Sequence, residues 1–188
     1  QEAYKKGQWQ EAMDHYLEGV RLNPQSAKAH NNIGDLLYAI GLKSEAMEHF
    51  RLAVQYNPDY ADAHNNYAAL LLDQGQIDLA RRHIEEALRV EPLNPVFKTG
   101  MGDVLWREGD LAAAQAWYAD VLLLDPKNAQ VLNRMGAVAM QEGRLDDAIR
   151  FFQDAVQADP GRSSTRQNLQ KALARKQSQS LGGNRPVS

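Results

Sequence analysis

Cysteine is absent from this chain of 188 residues. Disulfide bonds, thiolate nucleophiles and thiolate metal ligands are therefore excluded. Excess positive charge is also missing, because the formal net charge is −3 and the isoelectric point is near 6.0. Proteins that bind nucleic acid through its phosphate backbone depend on clustered Lys and Arg. We therefore do not expect nucleic acid as the partner.

Long apolar runs are lacking as well. The longest, residues 111–124, is interrupted by Gln115 and Asp120 and is too short to span a bilayer. No signal-peptide pattern opens the chain. We expect no direct membrane insertion by this segment. The compartment stays open, with the cytoplasm slightly favoured.

What the chain does contain is a repeat with a fixed period of 34 residues. Five prolines, five glycines and five alanines keep this step: Pro24, Pro58, Pro92, Pro126 and Pro160; Gly7, Gly41, Gly75, Gly109 and Gly143; Ala12, Ala46, Ala80, Ala114 and Ala148. A constant period of this size indicates copied supersecondary units that stack on one another. Such stacks usually offer a long surface to a partner.

One unit, residues 27–60, shows the internal pattern. Both halves show the spacing of a helix with one buried stripe: His30, Ile33, Gly34 and Leu37 in the first, then Ala46, Phe50 and Ala53 in the second. Gly41 lies between the halves, where a left-handed residue ends a helix. Pro58 closes the second half because proline lacks an N–H and disfavours helical geometry in the residue before it. The unit is predicted to be a helical hairpin.

The chain resembles the tetratricopeptide repeat family at these positions. The residues that carry the resemblance are Ile33-Gly34, Gly41, Ala46, Phe50, Ala53 and Pro58, and the match covers roughly residues 1 to 162. A departure is the large aromatic early in the first helix, replaced here by His30, His64, Lys98 and Leu132. The resemblance implies an all-α, right-handed superhelix of stacked helix–turn–helix repeats whose concave face is lined by the first helices. It implies binding and not chemistry.

The period also sets the domain boundaries. We predict a partial first repeat at 1–26, four repeats at 27–60, 61–94, 95–128 and 129–162, a capping helix at 163–177 and a disordered tail at 178–188. In the cap, Leu169 and Leu173 are expected to face inward. Residues 1 to 6 are expected to be the end of a first helix that turns at Gly7. This favours either more protein before Gln1 or a neighbouring molecule stacked there.

Residues that could carry chemistry are few. The five histidines occupy two repeat positions, His15, His49 and His83 in one and His30 and His64 in the other, and are expected on separate hairpins without converging partners. No phosphate loop, nucleophile elbow or dinucleotide motif occurs. We therefore expect no catalytic residue, no metal site and no cofactor, and predict that the chain is not an enzyme.

The outward side of the first helices is the predicted peptide-binding groove. Its residues are Lys28, Asn31, Asp35, Tyr38, Asp62, Asn65, Leu72, Asp73, Thr99, Asp103, Trp106, Arg107, Asn133 and Met140. They include an apolar row (Tyr38, Leu72, Trp106, Met140) and a polar row suited to a peptide backbone (Asn31, Asn65, Thr99, Asn133). The alternative for the apolar row is packing between adjacent first helices. Trp106 is the expected anchor, and the acids favour a ligand with a basic or amphipathic centre.

Two subtypes of the family can be compared with this groove. The co-chaperone repeats that clamp a terminal carboxylate use a Lys–Asn pair, which is not found at Asn31 and Asp35 or at Asn65 and Ala69. The repeats of O-linked N-acetylglucosamine transferases carry an Asn ladder, and this chain is similar to it at only two rungs, Asn32 and Asn66.

Three functions stay open from the sequence. The first is a non-enzymatic scaffold that binds a protein or peptide in its groove. The second is the repeat region of a larger enzyme or membrane protein, for example of glycosyltransferase type, whose catalytic part precedes residue 1. The third is an assembly scaffold that self-associates through its open N-terminal end.

Overall fold

The computed structural model describes the backbone of residues 2–182 and the side chains of residues 8–179. Over this range the chain is helical, without a strand. The helices are α1 (Glu2–Leu22), α2 (Ala27–Ala39), α3 (Lys43–Tyr56), α4 (Ala61–Asp73), α5 (Ile77–Val90), α6 (Pro95–Glu108), α7 (Leu111–Leu124), α8 (Ala129–Gln141), α9 (Leu145–Ala158) and α10 (Ser163–Gly182). The predicted all-α fold of helix–turn–helix repeats is confirmed.

Glycine ends the first helix of each hairpin. Gly41, the residue after the helix cap, has a φ of 88°, a value that favours glycine because it has no Cβ. The N–H of Leu42 then reaches back to the carbonyl of Leu37 at 2.9 Å, which satisfies a carbonyl at the helix end. The same positive φ recurs at Gly75, Gly109 and Gly143. These glycines, which recur every 34 residues, therefore mark the ends of the first helices.

The turns between hairpins use the residue before proline. The side-chain oxygen of Asn57 accepts from the N–H of Asp59 at 3.1 Å, and Asp125 accepts from Lys127 at 3.2 Å. These side chains hold a short turn by bonding to the backbone two residues further on. The following first helix then begins, in the case of α8, at the cap Asn128, which accepts from the N–H of Val131 at 3.1 Å.

The chain divides into two compact units, residues 1–107 and 108–188. In the first unit, α2 packs on α3 and α4 on α5 as hairpins, α1 packs on α2, and α3 packs on α4. Ala46, Phe50 and Leu70 form one buried cluster across this stack. Ala61, Ala87 and Phe97 form another, which brings α6 against α4 and α5. Each hairpin therefore buries its apolar stripe against the next one.

Small residues in the first helices make room for large ones in the second. A Cβ built on Gly34 would lie 2.6 Å from a ring carbon of Phe50, and one on Gly136 would lie 2.6 Å from a ring carbon of Phe152. In the hairpin that follows α2–α3, Ala68 occupies the glycine position and Ile84 the ring position. The extra methyl of Ala68 is matched by a smaller partner, so the packing volume is conserved.

In the second unit, α7 packs on α8, α8 pairs with α9, and α10 packs on α9. The capping helix predicted at 163–177 is longer, since α10 runs to Gly182 and includes the first residues of the segment predicted as a disordered tail. Residues 183–188 lie outside the described residues.

The inward face of α10 differs from the predicted one. Leu169 packs against the cluster of Ala139, Phe152 and Ala172, but Leu173 is 46% exposed. The reason is helical phase, because residues 165, 169 and 172 share a face and residue 173 lies about 100° from residue 172.

At the other end of the chain, the predicted turn at Gly7 is absent. The helix α1 is continuous from Glu2 to Leu22. The backbone instead continues as a single helix through Gly7.

Candidate functional site

The predicted apolar row is not uniformly available on the surface. Tyr38 is 44% exposed on α2, whereas Leu72 on α4 is only 9% exposed. Met140 on α8 is half-buried and packs against the core cluster of the second unit. Trp106 on α6 is half-buried. The packing alternative therefore holds for Leu72 and Met140, and Tyr38 is the member with the most accessible surface.

The predicted polar row is partly structural. Asn31 is buried, and its Oδ1 accepts from Nδ2 of Asn66 at 3.1 Å. The same Nδ2 lies 2.9 Å from Oδ1 of Asp35, and Nδ2 of Asn31 donates to Oδ2 of Asp35 at 3.3 Å. These three side chains link α2 to α4. Asn31 therefore holds neighbouring first helices together and has little surface left for a peptide.

The second unit repeats this link. Nδ2 of Asn168 on α10 donates to Oδ1 of Asn133 on α8 at 3.0 Å. Both amide pairs are 35 residues apart, one more than the sequence period. Sequence reasoning missed the contacts of Asn66 and Asn168 because it compared equivalent positions, whereas each contact joins residue i to residue i+35. A search for polar pairs at that step would have found them.

Two other members of the polar row differ from each other. Thr99 is buried, and its Oγ1 donates to the carbonyl of Pro95 at 2.7 Å within α6. Asn65 is half-buried, and within the described residues its side chain has no hydrogen-bond partner. Its Oδ1 lies 3.1 Å from where a Cβ of Gly100 would be, which is the i+35 position. The donors and the acceptor of the Asn65 amide are therefore not used within the described part of the chain.

The carboxyl of Asp35 has a pKa that its surroundings raise. Burial raises the pKa of Asp35 above its ordinary value, the charge of Asp62 adds to the rise, and the hydrogen bond from Asn31 opposes it. The raised pKa means that the charged form lacks a sufficient partner. A cationic group placed beside Asp35 by a ligand would supply one.

A small cleft of about 50 Å³ opens beside this carboxyl. It is lined by Asp35, Tyr38, Phe50, Asn66 and Ala69. The volume suits a small apolar group, and the lining combines aromatic rings with the polar side chains of Asp35 and Asn66. The cleft lies between α2 and α4, on the side of the predicted groove.

Two charged residues predicted for the groove are engaged within the protein. Asp73 pairs with Nζ of Lys43 at 2.5 Å, and the same Nζ lies 5.6 Å from the centroid of the Tyr38 ring. Arg107 donates to the backbone carbonyl of Leu72 at 2.5 Å. Asp73 therefore contributes less free negative charge than predicted, and Arg107 fixes α6 to the end of α4.

Histidine pairs inside the hairpins were missed. Nδ1 of His30 faces Nδ1 of His49 at 3.0 Å, and Nδ1 of His64 faces Nδ1 of His83 at 2.9 Å. The expectation of separate hairpins without converging partners was wrong, because each pair joins the two helices of one hairpin. Among the described residues, no three His, Asp or Glu side chains are grouped as a metal site needs.

The bonds around His64 define its tautomer. Its Nε2 lies 2.9 Å from the carbonyl of Pro58, which can only accept, so Nε2 carries the hydrogen in the neutral ring. Nδ1 of His64 then accepts from Nδ1–H of His83. Burial and, after it, the neighbouring His64 lower the pKa of His83 to about 4, while Glu86 acts in the opposite direction. His83 is therefore neutral at pH 7.

Comparison with known families agrees with this geometry. Models of the tetratricopeptide repeat match residues 1–41, 27–60, 44–104 and 99–163, which together span residues 1–163. The chain is a tetratricopeptide repeat protein. No curated protein matches this tetratricopeptide repeat chain. Within residues 2–182, none of its helices has the length and apolar content needed to traverse a lipid bilayer.

Several solved tetratricopeptide repeat structures are similar in fold. The thermophilic protein TTC0263 from Thermus thermophilus is 21% identical with a TM-score of 0.75, and the match covers 92% of this chain and 94% of that one. PilW, described as a widely conserved type IV pilus biogenesis factor, is 21% identical with a TM-score of 0.77, covering 99% and 90%. YrrB, described as having an unusual peptide-binding site, is 20% identical with a TM-score of 0.65, covering 93% and 86%.

Proposed function

We propose that this tetratricopeptide repeat protein is a non-enzymatic interaction module. Its first helices α2, α4 and α6 would hold an extended or helical segment of another protein. The family is made up of generally non-catalytic scaffolds, which supports a protein-binding role. The described surface also has the parts of a peptide site: an exposed ring at Tyr38, an unpaired amide at Asn65 and a cleft between helices.

The observation that carries the proposal is the cleft beside Tyr38. When a partner segment places a small apolar side chain in the cleft, the backbone of that segment runs next to Asp35 and Asn66, which line the cleft. Because the Asp35 carboxyl has a raised pKa and Asp62 lies near it, a basic residue next to the small one is favoured. YrrB, a protein of similar fold, is described as having an unusual peptide-binding site, which is in keeping with this kind of ligand.

The part of the predicted groove on Asn133 and Met140 lies in the second unit. Its participation stays a prediction, as does the anchoring role of Trp106. Exposed Leu17 and Leu22 on α1 leave apolar surface at the front of the first unit, and this observation favours self-association as the alternative function. Light scattering at several concentrations separates a monomeric module from a self-associating one.

The test is a titration with a selected peptide. A displayed library of random peptides is selected on the full chain, and the best binder is titrated against the wild type, Tyr38→Ala and Leu79→Ala. We expect Tyr38→Ala to weaken binding by on the order of tenfold, because an accessible aromatic at an interface is a common anchor. Trp106→Ala in the same series tests whether the segment reaches α6.

Leu79 is the matched control because it is a large apolar residue, 37% exposed, on the second helix α5 and outside the groove. Its replacement should leave the affinity unchanged. Equal affinities for the wild type and Tyr38→Ala would move the binding surface away from α2.

A further inference from the structure

A second cavity lies in the hairpin formed by α8 and α9. Its volume is about 440 Å³, and it is lined by Pro126, Lys127, Leu132, Asp154, Gln157 and Ala158. This volume is within the range of sites that bind small ligands or side chains. None of these residues belongs to the predicted peptide groove, so the cavity is independent of the function proposed above.

The repeat alignment explains why the cavity is open. Ala158 stands at the position of Tyr56, and Leu132 at the position of His30, three repeats earlier. In that earlier hairpin the His30 and Tyr56 rings lie against each other, with centroids 5.4 Å apart. His30 is also fixed by the carbonyl of Pro24, the equivalent of Pro126. The change from Tyr to Ala removes a phenol ring from this place in the hairpin.

In the hairpin of residues 61–94, ion pairs occupy the equivalent region. Arg89 pairs with Asp59 at 2.5 Å and with Glu86 at 2.7 Å, which ties the turn before α4 to α5. The equivalents of Asp59, Glu86 and Arg89 are Lys127, Asp154 and Gln157. Within the described residues, neither Lys127 nor Asp154 has a salt-bridge partner. The rim of the cavity therefore carries one cation and one anion that are both available.

We propose that this cavity binds a tyrosine-type aromatic side chain of a protein partner. The ring takes the place that Tyr56 fills in the first complete hairpin, above the buried Leu132 and against Ala158. The phenol hydroxyl can donate to the carboxylate of Asp154 and accept from the ammonium of Lys127. The cavity is larger than one ring, which leaves room for the partner's adjoining main chain. An apolar base with a few polar groups at the rim is the usual composition of such a site.

The probe for this site is N-acetyltyrosine amide, titrated into the full chain with methyl groups of Leu and Ala observed by NMR. We expect saturable shifts at Leu132 and Ala158 with a Kd on the order of 1 mM, as is typical for a ligand of this size. Ala158→Tyr, which restores the ring of the earlier hairpin, should weaken binding at least tenfold.

Leu124→Tyr is the control variant, because Leu124 holds the same repeat position on α7 and is 66% exposed. It adds the same ring without filling the cavity and should bind like the wild type. N-acetylleucine amide is the control ligand and should bind at least fivefold more weakly.

Three outcomes would overturn the proposal. They are the absence of saturable shifts at Leu132 and Ala158, an Ala158→Tyr variant that binds as well as the wild type, and equal affinity for the leucine amide. Circular dichroism of both variants establishes that they are folded.

Discussion

The hairpins α2–α3 and α8–α9 have the same backbone pattern and different interiors. Both end their first helix at a glycine with positive φ, and both place a glycine, Gly34 or Gly136, against a phenylalanine ring. They differ beside the turn before the first helix. The earlier hairpin fills that space with His30, His49 and Tyr56, whereas the later one leaves a cavity.

This difference teaches where repeats are free to vary. Residues at the helix ends and at the helix crossings fix how two helices meet, and they recur at the 34-residue step. Side chains near the turn differ from hairpin to hairpin, and a histidine pair, an ion network or an open cavity occurs on the same backbone. Function in this chain is therefore expected at positions that break the repeat.

The largest effect is expected from disrupting the contact between glycine and phenylalanine that the two hairpins share. Gly34→Ala would place a Cβ 2.6 Å from the Phe50 ring, so we expect a loss of about 1–3 kcal/mol in the free energy of unfolding. Adding Phe50→Ile should recover part of the loss, because the neighbouring hairpin combines Ala68 with Ile84. Urea denaturation of the two single variants and the double variant measures the coupling.

Gly19→Ala in α1 is the matched control. A Cβ there would lie 3.7 Å from the Cβ of Ala29, an ordinary contact, so the change should be neutral or stabilising by up to about 1 kcal/mol. Additive effects of Gly34→Ala and Phe50→Ile would contradict the size matching.

Lowering the pH should affect the hairpin α2–α3 and its neighbours more than α8–α9, because all five histidines precede residue 108. The folded pKa of His83 is lowered to about 4 from an unfolded value of 6.5. Below pH 6.5 the unfolded state binds the proton more readily, so this stability is present above pH 6.5 and is lost as the pH falls toward 4. For this half-buried ring, discounted for solvent screening, we expect a loss of about 1 kcal/mol between pH 7 and pH 5.

The measurement is the unfolding free energy at both pH values for the wild type, His83→Gln and His15→Gln. His83→Gln should lose less stability on acidification than the wild type. His15 holds the same repeat position but is exposed, so His15→Gln should behave like the wild type. Hydrogen exchange should place the acid-induced opening in α4 and α5. A pH dependence unchanged in His83→Gln would be inconsistent with the pKa shift.

The smallest expected effect concerns α10 in the second unit. Thr165 is fully buried and its hydroxyl has no hydrogen-bond partner among the described residues. Val131 holds the same position one repeat earlier. Thr165→Val should therefore stabilise the protein by up to about 1 kcal/mol, because an unsatisfied buried hydroxyl is removed. A destabilised variant in thermal unfolding would show that the hydroxyl has a partner.

Much of the fold was predictable because it depends on local chemistry. Gly41 and Pro58 mark helix ends through backbone geometry alone, and the 34-residue step places every hairpin. The ends of the chain were harder to predict. Gly7 has the same period as the other turn glycines, yet α1 continues through it. Leu173 is exposed because of a helical phase that the sequence of the cap left open.

The candidate site was less predictable because it depends on contacts between neighbouring helices. The repeat pattern predicts Asn31 on the surface, yet Asn31 is buried and hydrogen-bonded to Asn66. The cavity near Ala158 depends on the absence of a ring, which is visible only when the hairpins are compared position by position. In both cases the missing information was which side chain of the next element fills the space.

The most direct test of the binding surface is a map of backbone amide shifts on adding the library-selected peptide. If the first helices form the site, the largest shifts will lie on α2 and α4 around Asp35, Tyr38, Asn65 and Ala69, and Tyr38→Ala will reduce them at a peptide concentration near the wild-type Kd. Shifts confined to the second helices α3 and α5 would contradict the account.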